Sequence, residues 1–241
     1  MNQRKTSIER REFLKLGAIS AFGLVVTAGD LLWRVEQVRA AELSATNPQP
    51  LSPDLALQKL MEGNRRFVTH LPRHPKQSEA RLHEVAQAQH PFATILSCAD
   101  SRVPAEIVFD RGIGDIFDVR VAGNIVTPEV MGSIEYAVVL LETPVLMVLG
   151  HERCGAVTAA VKEESLPNSQ VDTFVKAIKP ALDKVKDRSG DAVDNAVIAN
   201  VEYQIEKLEQ SPLLTERMQS GKLKIVGGRY DLDTGEVKLL T

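Results

Sequence analysis

The sequence predicts an α/β protein with a central, mostly parallel β-sheet of four to five strands flanked by helices. Three observations predict it. Short apolar runs alternate with helical patterns, which implies a parallel sheet covered on both faces. One run, residues 144–149 (Pro-Val-Leu-Met-Val-Leu), is apolar throughout, as expected of a central strand buried on both sides. Cys98 and His151 fall at the ends of two such runs, and ligand sites in these sheets lie at the carboxyl ends of strands.

The elements follow in order. Ser52-Pro53-Asp54 opens a helix, with Ser as N-cap and Pro in the first turn, and Leu57, Leu60, Met61 and Phe67 recur at helical spacing. A polar stretch with Pro72 and Pro75 precedes a second helix expected over 78–89. Residues 92–97 read as a buried strand ending at Cys98, and 116–121 as a second strand. Residues 131–141 look helical, with Gly132 and Ser133 near the start. The run 144–149 ends at Gly150-His151, and the chain turns helical again from Cys154. Two further helical patterns cover 170–187 and 191–210, residues 223–227 form a fourth strand, and 236–240 suit a fifth at an edge.

Composition narrows the function. The 241 residues suffice for one domain with a full core, and 44% apolar with 25% charged residues fits a globular protein. A net charge of −3 and only 5% aromatics give no reason to expect nucleic acid or an anionic membrane as partner. Two cysteines exclude a disulfide-stapled scaffold, and no C-x-x-C motif suggests thiol redox chemistry. No internal repeat is visible.

The N-terminus is set apart. Arg10-Arg11-Glu12-Phe13-Leu14-Lys15 resembles a bacterial twin-arginine export signal, followed by an apolar stretch broken by Gly17, Gly23, Gly29 and Asp30. Val38-Arg39-Ala40-Ala41 suits signal peptidase, with cleavage after Ala40. The expected organisation is thus 1–40 export signal, 41–51 linker and 52–241 the folded domain, exported to the periplasm by the twin-arginine machinery. A leader retained as a helix or anchor is the alternative.

Three residues converge as candidate metal ligands: Cys98, His151 and Cys154. His151-Glu152-Arg153-Cys154 is an H-x-x-C pair, and Cys98 arrives from another strand end. Two thiolates and one imidazole suit Zn²⁺, and three protein ligands leave a fourth position open, as in catalytic zinc sites. H-x-x-C alone is equally compatible with two buried core cysteines. The surroundings favour the metal. Cys98 begins Cys98-Ala99-Asp100-Ser101-Arg102, in which Arg102 can clamp the Asp100 carboxylate and hold it ionised and off the metal. Asp100 is otherwise a possible fourth ligand.

Cys98-Ala99-Asp100-Ser101-Arg102-Val103-Pro104 and Gly150-His151-Glu152-Arg153-Cys154-Gly155 together resemble the beta-class carbonic anhydrases. So do Gly63-Asn64-Arg65-Arg66-Phe67, Gly114-Asp115-Ile116-Phe117, Arg120-Val121-Ala122-Gly123-Asn124, Gly132-Ser133-Ile134-Glu135-Tyr136-Ala137 and Gly228-Arg229-Tyr230-Asp231-Leu232-Asp233-Thr234-Gly235. The resemblance spans roughly residues 52–240.

It implies the fold of that family and one zinc per subunit on Cys98, His151 and Cys154, with Asp100 joining only in a closed form. Asp100 and Arg102 match the catalytic dyad. Gln89, Phe117, Tyr136 and Gly155 match substrate-binding positions, part of the wall coming from a partner subunit, so a homodimer or homotetramer is implied. The reaction implied is reversible hydration of carbon dioxide to bicarbonate and a proton, by hydroxide formed on zinc near neutral pH. His90 is a candidate proton shuttle, whereas His70, His74 and His83 lie in a polar region. Two positions depart from family patterns. Ile95 stands where members regulated by a non-catalytic bicarbonate carry Trp, so no such pocket is expected, and Ala122 is a smaller wall residue than the Val of plant-type relatives. Hydrolysis of carbon disulfide or carbonyl sulfide, and a non-catalytic zinc protein on the same fold, are the competing readings.

Overall fold

The computed structural model describes residues 51–240. The expected export signal, the linker up to residue 50 and Thr241 lie outside the described residues.

Ser52 caps the first helix, its Oγ accepting from Leu55 N at 3.3 Å, and α1 runs Pro53–Val68. It buries Ala56, Leu60, Gly63 and Asn64. The Asn64 side chain donates to Val108 O and Gly235 O and accepts from Val237 N, so one residue ties the helix to two distant segments. The second helix, α2 (Glu79–Val85), is shorter than the expected 78–89. Pro91 disfavours helical geometry just before it, and the chain leaves the helix ahead of Gln89 and His90.

Strand β1 (Ala93–Ser97) is buried at every position. A one-turn helix not anticipated from the sequence, α3 (Ala105–Val108), leads toward β2 (Ile116–Arg120). A 3₁₀ turn follows at Ala122–Asn124. Helix α4 (Pro128–Glu135) starts three residues before the expected 131, because Thr127 accepts from Val130 N and Pro128 fits the first turn. It runs into a π-helical turn over Tyr136–Leu140. Then come β3 (Val145–His151), α5 (Gly155–Val161), α6 (Val171–Leu182), α7 (Ala192–Leu208), a second unanticipated helix α8 (Pro212–Gln219), β4 (Lys224–Tyr230) and β5 (Val237–Leu240).

The five strands pair in the order β2-β1-β3-β4-β5. The first four are parallel, and β5 is antiparallel to β4 at the edge. The expected α/β class, with a mostly parallel sheet, is the one observed. Both β3 and β4 extend past their apolar runs, pairing His151 with Tyr230. Strand alternation sends Ile95, Met147 and Leu149 into a core with Leu60 and Phe109, and Leu96, Leu146 and Val148 into another with Val201, Leu208 and Leu214. A third apolar cluster, at the carboxyl end of the sheet, surrounds Cys98 and Cys154 with Ile125, Val157, Ile178 and Ala196.

Candidate metal centre

Cys98 follows β1 directly, His151 ends β3, and Cys154 caps the start of α5. All three are buried, His151 completely. One ligand atom from each lies within 4.8 Å of the others.

Two observations test whether these residues fit a metal ion. The Cys98 and Cys154 sulfurs are 3.9 Å apart. That is far beyond a disulfide bond of about 2.05 Å. It is close to the roughly 3.8 Å spanned by two 2.3 Å zinc–sulfur bonds at the tetrahedral angle. His151 Nδ1 lies 2.8 Å from the backbone carbonyl of Glu152. A carbonyl only accepts, so Nδ1 carries the proton and Nε2 keeps a free lone pair. That Nε2 is buried and has no hydrogen-bond partner. A buried acceptor left unpaired is costly unless something fills its lone pair. The donor set fits zinc.

Each ligand is held by its own local structure. Glu152 N donates to Tyr230 O, and the Glu152 carboxylate pairs with Arg229 at 2.6 Å and accepts from Leu232 N at 3.2 Å. The carbonyl that orients His151 is therefore pinned to β4 and to the turn beyond it. Arg153 takes a positive φ of 49°, which turns the chain from β3 into α5, and its guanidinium pairs with Asp233. The Gly123 N–H points at Cys98 Sγ, 3.4 Å away. The hydrogen bond with Cys154 lowers the Cys98 thiol pKa well below the usual range, and the N–H groups of Gly123 and Asp100 add to this. The same contact, with burial, pushes Cys154 up.

Asp100 and Arg102 form the expected pair. Arg102 donates from N and Nε to Oδ1, both at 2.9 Å, and from Nη2 to Oδ2 at 2.7 Å. Those bonds hold the Asp100 carboxyl well below its ordinary range. Asp100 Oδ2 stands 3.9 Å from His151 Nε2, so an ionised acceptor borders the space the three ligands enclose. In this arrangement both Asp100 oxygens are engaged by Arg102. A second acidic group, Glu152 with Asp231 and Asp233, is already engaged by Arg153, Arg229 and backbone N–H groups.

The remaining expected residues are spread out. Gly155 lies next to Cys154 at the start of α5, with nothing within 4 Å of where a Cβ would stand. Phe117 and Tyr136 come together, ring centroids 6.1 Å apart, and Tyr136 is 38% exposed. Phe117 sits three residues before the carboxyl end of β2, roughly 10 Å down the strand, and is not part of the ligand cluster. Gln89 is exposed, and His90 Nε2 is buried without a partner among the described residues. Neither joins the cluster. His70, His74 and His83 are exposed, as expected. Ile95 is fully buried among core residues.

Sequence reasoning missed Arg120 as a site residue. Its guanidinium donates to Cys98 O at 3.0 and 3.1 Å and to Asp100 O at 2.6 Å. It therefore fixes the loop that carries both a candidate ligand and the dyad carboxylate.

Residues 93–237 match the family model described as carbonic anhydrase. A relative from Mycobacterium tuberculosis, carbonic anhydrase 2, is 42% identical over 192 residues, covering 78% of this chain and 93% of the relative. The chain belongs to the beta-class carbonic anhydrase family. Among solved structures, the beta-carbonic anhydrase CcaA superposes with a TM-score of 0.62 at 28% identity, covering 77% of this chain and 95% of that one. A tetrameric beta-carbonic anhydrase from Sordaria macrospora does so with a TM-score of 0.59 at 26% identity, covering 78% and 94%.

Proposed function

We propose that this chain catalyses the reversible hydration of carbon dioxide to bicarbonate and a proton, with one zinc ion held by Cys98, His151 and Cys154. The observation that carries the reading is the buried Cys–His–Cys cluster with an unpartnered His151 Nε2 beside an arginine-held carboxylate. When bound there, the ion supplies a Lewis acid able to bring the pKa of a water molecule from 15.7 to about 7.

The chain's own residues do the rest. Glu152 O fixes the His151 tautomer, leaving Nε2 as the donor atom. Asp100, kept ionised by Arg102, acts as a hydrogen-bond acceptor at Oδ2 and orients the attacking oxygen. Arg120 keeps Asp100 and Cys98 in fixed relation through their carbonyls. The open space at Gly155 admits a small linear substrate beside the cluster.

Phe117 on edge strand β2 and Tyr136 in the π-helical turn after α4, paired away from their own ligand cluster, wall the site of a neighbouring subunit, and Gln89 hydrogen-bonds the substrate. The protein is accordingly a homodimer or homotetramer, an assembly that one structural neighbour forms as a tetramer. The twin arginines at 10 and 11 direct export to the periplasm, with cleavage after Ala40. Light scattering of the purified protein and N-terminal sequencing of a periplasmic fraction test these two points.

Cys98→Ser tests the zinc assignment. The variant loses bound zinc and carbon dioxide hydration together. Retention of stoichiometric zinc would remove Cys98 from the ligand set.

A further inference from the structure

Helix α7 buries an unusual amount of polar surface for a helix packed against a sheet. Asn200 is 1% exposed and Gln204 is fully buried. Both face the sheet side of the helix, where their neighbours Val197, Val201 and Leu208 pack in apolar clusters. Burying two amides there is unfavourable unless each is bonded. Their bonds run in one direction. Gln204 Nε2 donates to Asn200 Oδ1 at 2.9 Å, an i,i+4 rung along the helix. Asn200 Nδ2 donates to Gly123 O at 2.9 Å. Gln204 Oε1 accepts from Val126 N at 2.8 Å.

The two amides thus grip both ends of the segment 123–126, and that segment begins at the residue whose N–H points at Cys98 Sγ. Gly123 has a φ of +71°, a conformation L side chains rarely adopt. A Cβ there would stand 2.7 Å from Ile178 Cδ1, so the turn is pressed into the protein by α6 as well. Within the chain the turn is closed by Asn124 N donating to Val121 O at 2.9 Å, and from outside it Asn200 holds the Gly123 carbonyl.

We propose that Asn200 and Gln204 are positioning residues of the metal centre. Through the turn at Ala122–Asn124 they hold the Gly123 N–H on the Cys98 sulfur. That N–H would hold Cys98 Sγ where it can ligate a metal and would withdraw charge from it, so losing it leaves the sulfur less well placed, which lowers affinity, and more electron-rich, which moves its charge-transfer band to longer wavelength. Partners one shell beyond the ligands commonly change metal affinity or activity by about 10–100-fold when removed. The inference rests on the reading that Cys98 is a metal ligand.

The test uses the full folded protein loaded with Co²⁺ in place of zinc, whose sulfur-to-cobalt charge-transfer absorption reports on the thiolates directly. Affinity for Zn²⁺ is measured alongside by competition with a chelator. Asn200→Ala removes the donor to Gly123. Gln204→Glu keeps the acceptor for Val126 N and loses the donor to Asn200, and it decides the matter if the first variant does not fold. Asn195→Ala is the control. It is a buried amide on the same helix that bonds only to the carbonyls of Arg188 and Ser189.

The expected result is a shift of the charge-transfer band to longer wavelength and a roughly 10–100-fold loss of affinity in the two test variants, with neither change in the control. Two results would overturn the inference: unchanged band and affinity in the test variants, or an equal shift in all three, which marks general loosening of α7. A parent protein with no sulfur-to-cobalt band would instead overturn the ligand reading itself.

Discussion

At the scale of single residues, the site depends on hydrogen bonds that remove choices. His151 has two ring nitrogens, and the Glu152 carbonyl selects which one is free. Asp100 has two carboxylate oxygens, and Arg102 holds both while keeping them ionised. Asp100→Asn preserves shape, replaces one acceptor by a donor and removes the charge. It is expected to retain zinc and to lose hydration by about 10²–10⁴-fold, the usual range for a positioned proton-handling group. Zinc analysis and stopped-flow hydration on one sample check this, and wild-type turnover in the variant would rule out a role for the dyad. Chemical identity made these residues legible in the sequence, because Cys, His and an Asp-x-Arg pair have few other uses in such an arrangement. Arg120 and Gly123 were not legible as site residues, because they act on backbone carbonyls or through a backbone N–H about 20 or more positions away.

At the scale of elements, the site is placed by strands ending together and by helices docking tightly on them. Helix α1 lies so close to α3 that a Cβ at Gly63 would stand 1.7 Å from Phe109 O. Backbone cannot yield there as a flexible side chain would, so Gly63→Ala forces the helix outward and strains the three Asn64 bonds beside it. A loss of about 3 kcal/mol is expected, the upper end for overpacking, and hence a drop in Tm of roughly 6–12 °C by thermal melt. A change under about 2 °C would mean that α1 docks elsewhere. The strands that form the middle of the sheet were legible as apolar runs, but their ends were not. Gly150, His151, Arg229 and Tyr230 belong to β3 and β4 because backbone pairing continues where apolar side chains stop. Helix α8 carries the same Ser-Pro start as α1, at Ser211-Pro212, yet was missed because its short pattern merges with the end of α7.

At the scale of the whole molecule, one partly buried carboxylate outside the ligand cluster sets a pH dependence of stability. Asp118, on edge strand β2, has an oxygen with no hydrogen-bond partner, and burial, followed by the charge of Glu106, pushes its pKa up to about 6. An unfolded aspartate titrates near 3.9, so between about pH 4 and 6 the folded chain binds more protons than the unfolded one. Stability therefore falls as pH rises through that window, and the penalty is complete above pH 6. Asp118→Asn is expected to raise stability at pH 8 by about 1–2 kcal/mol, allowing for the solvent that reaches this half-buried strand, and to leave it unchanged near pH 4. Denaturant melts at the two pH values check it. An equal gain at both would show that the charge of Asp118 is not the cause.

Whether the buried Cys98–His151–Cys154 cluster makes this chain a zinc-dependent carbonic anhydrase is decided by stopped-flow carbon dioxide hydration on the chain beginning at Ala41, with zinc per subunit determined on the same sample before and after chelation. The expected result is about one zinc per subunit, rapid hydration, loss of activity with the metal and recovery when zinc is returned. Full zinc occupancy without hydration from neutral to alkaline pH would contradict it.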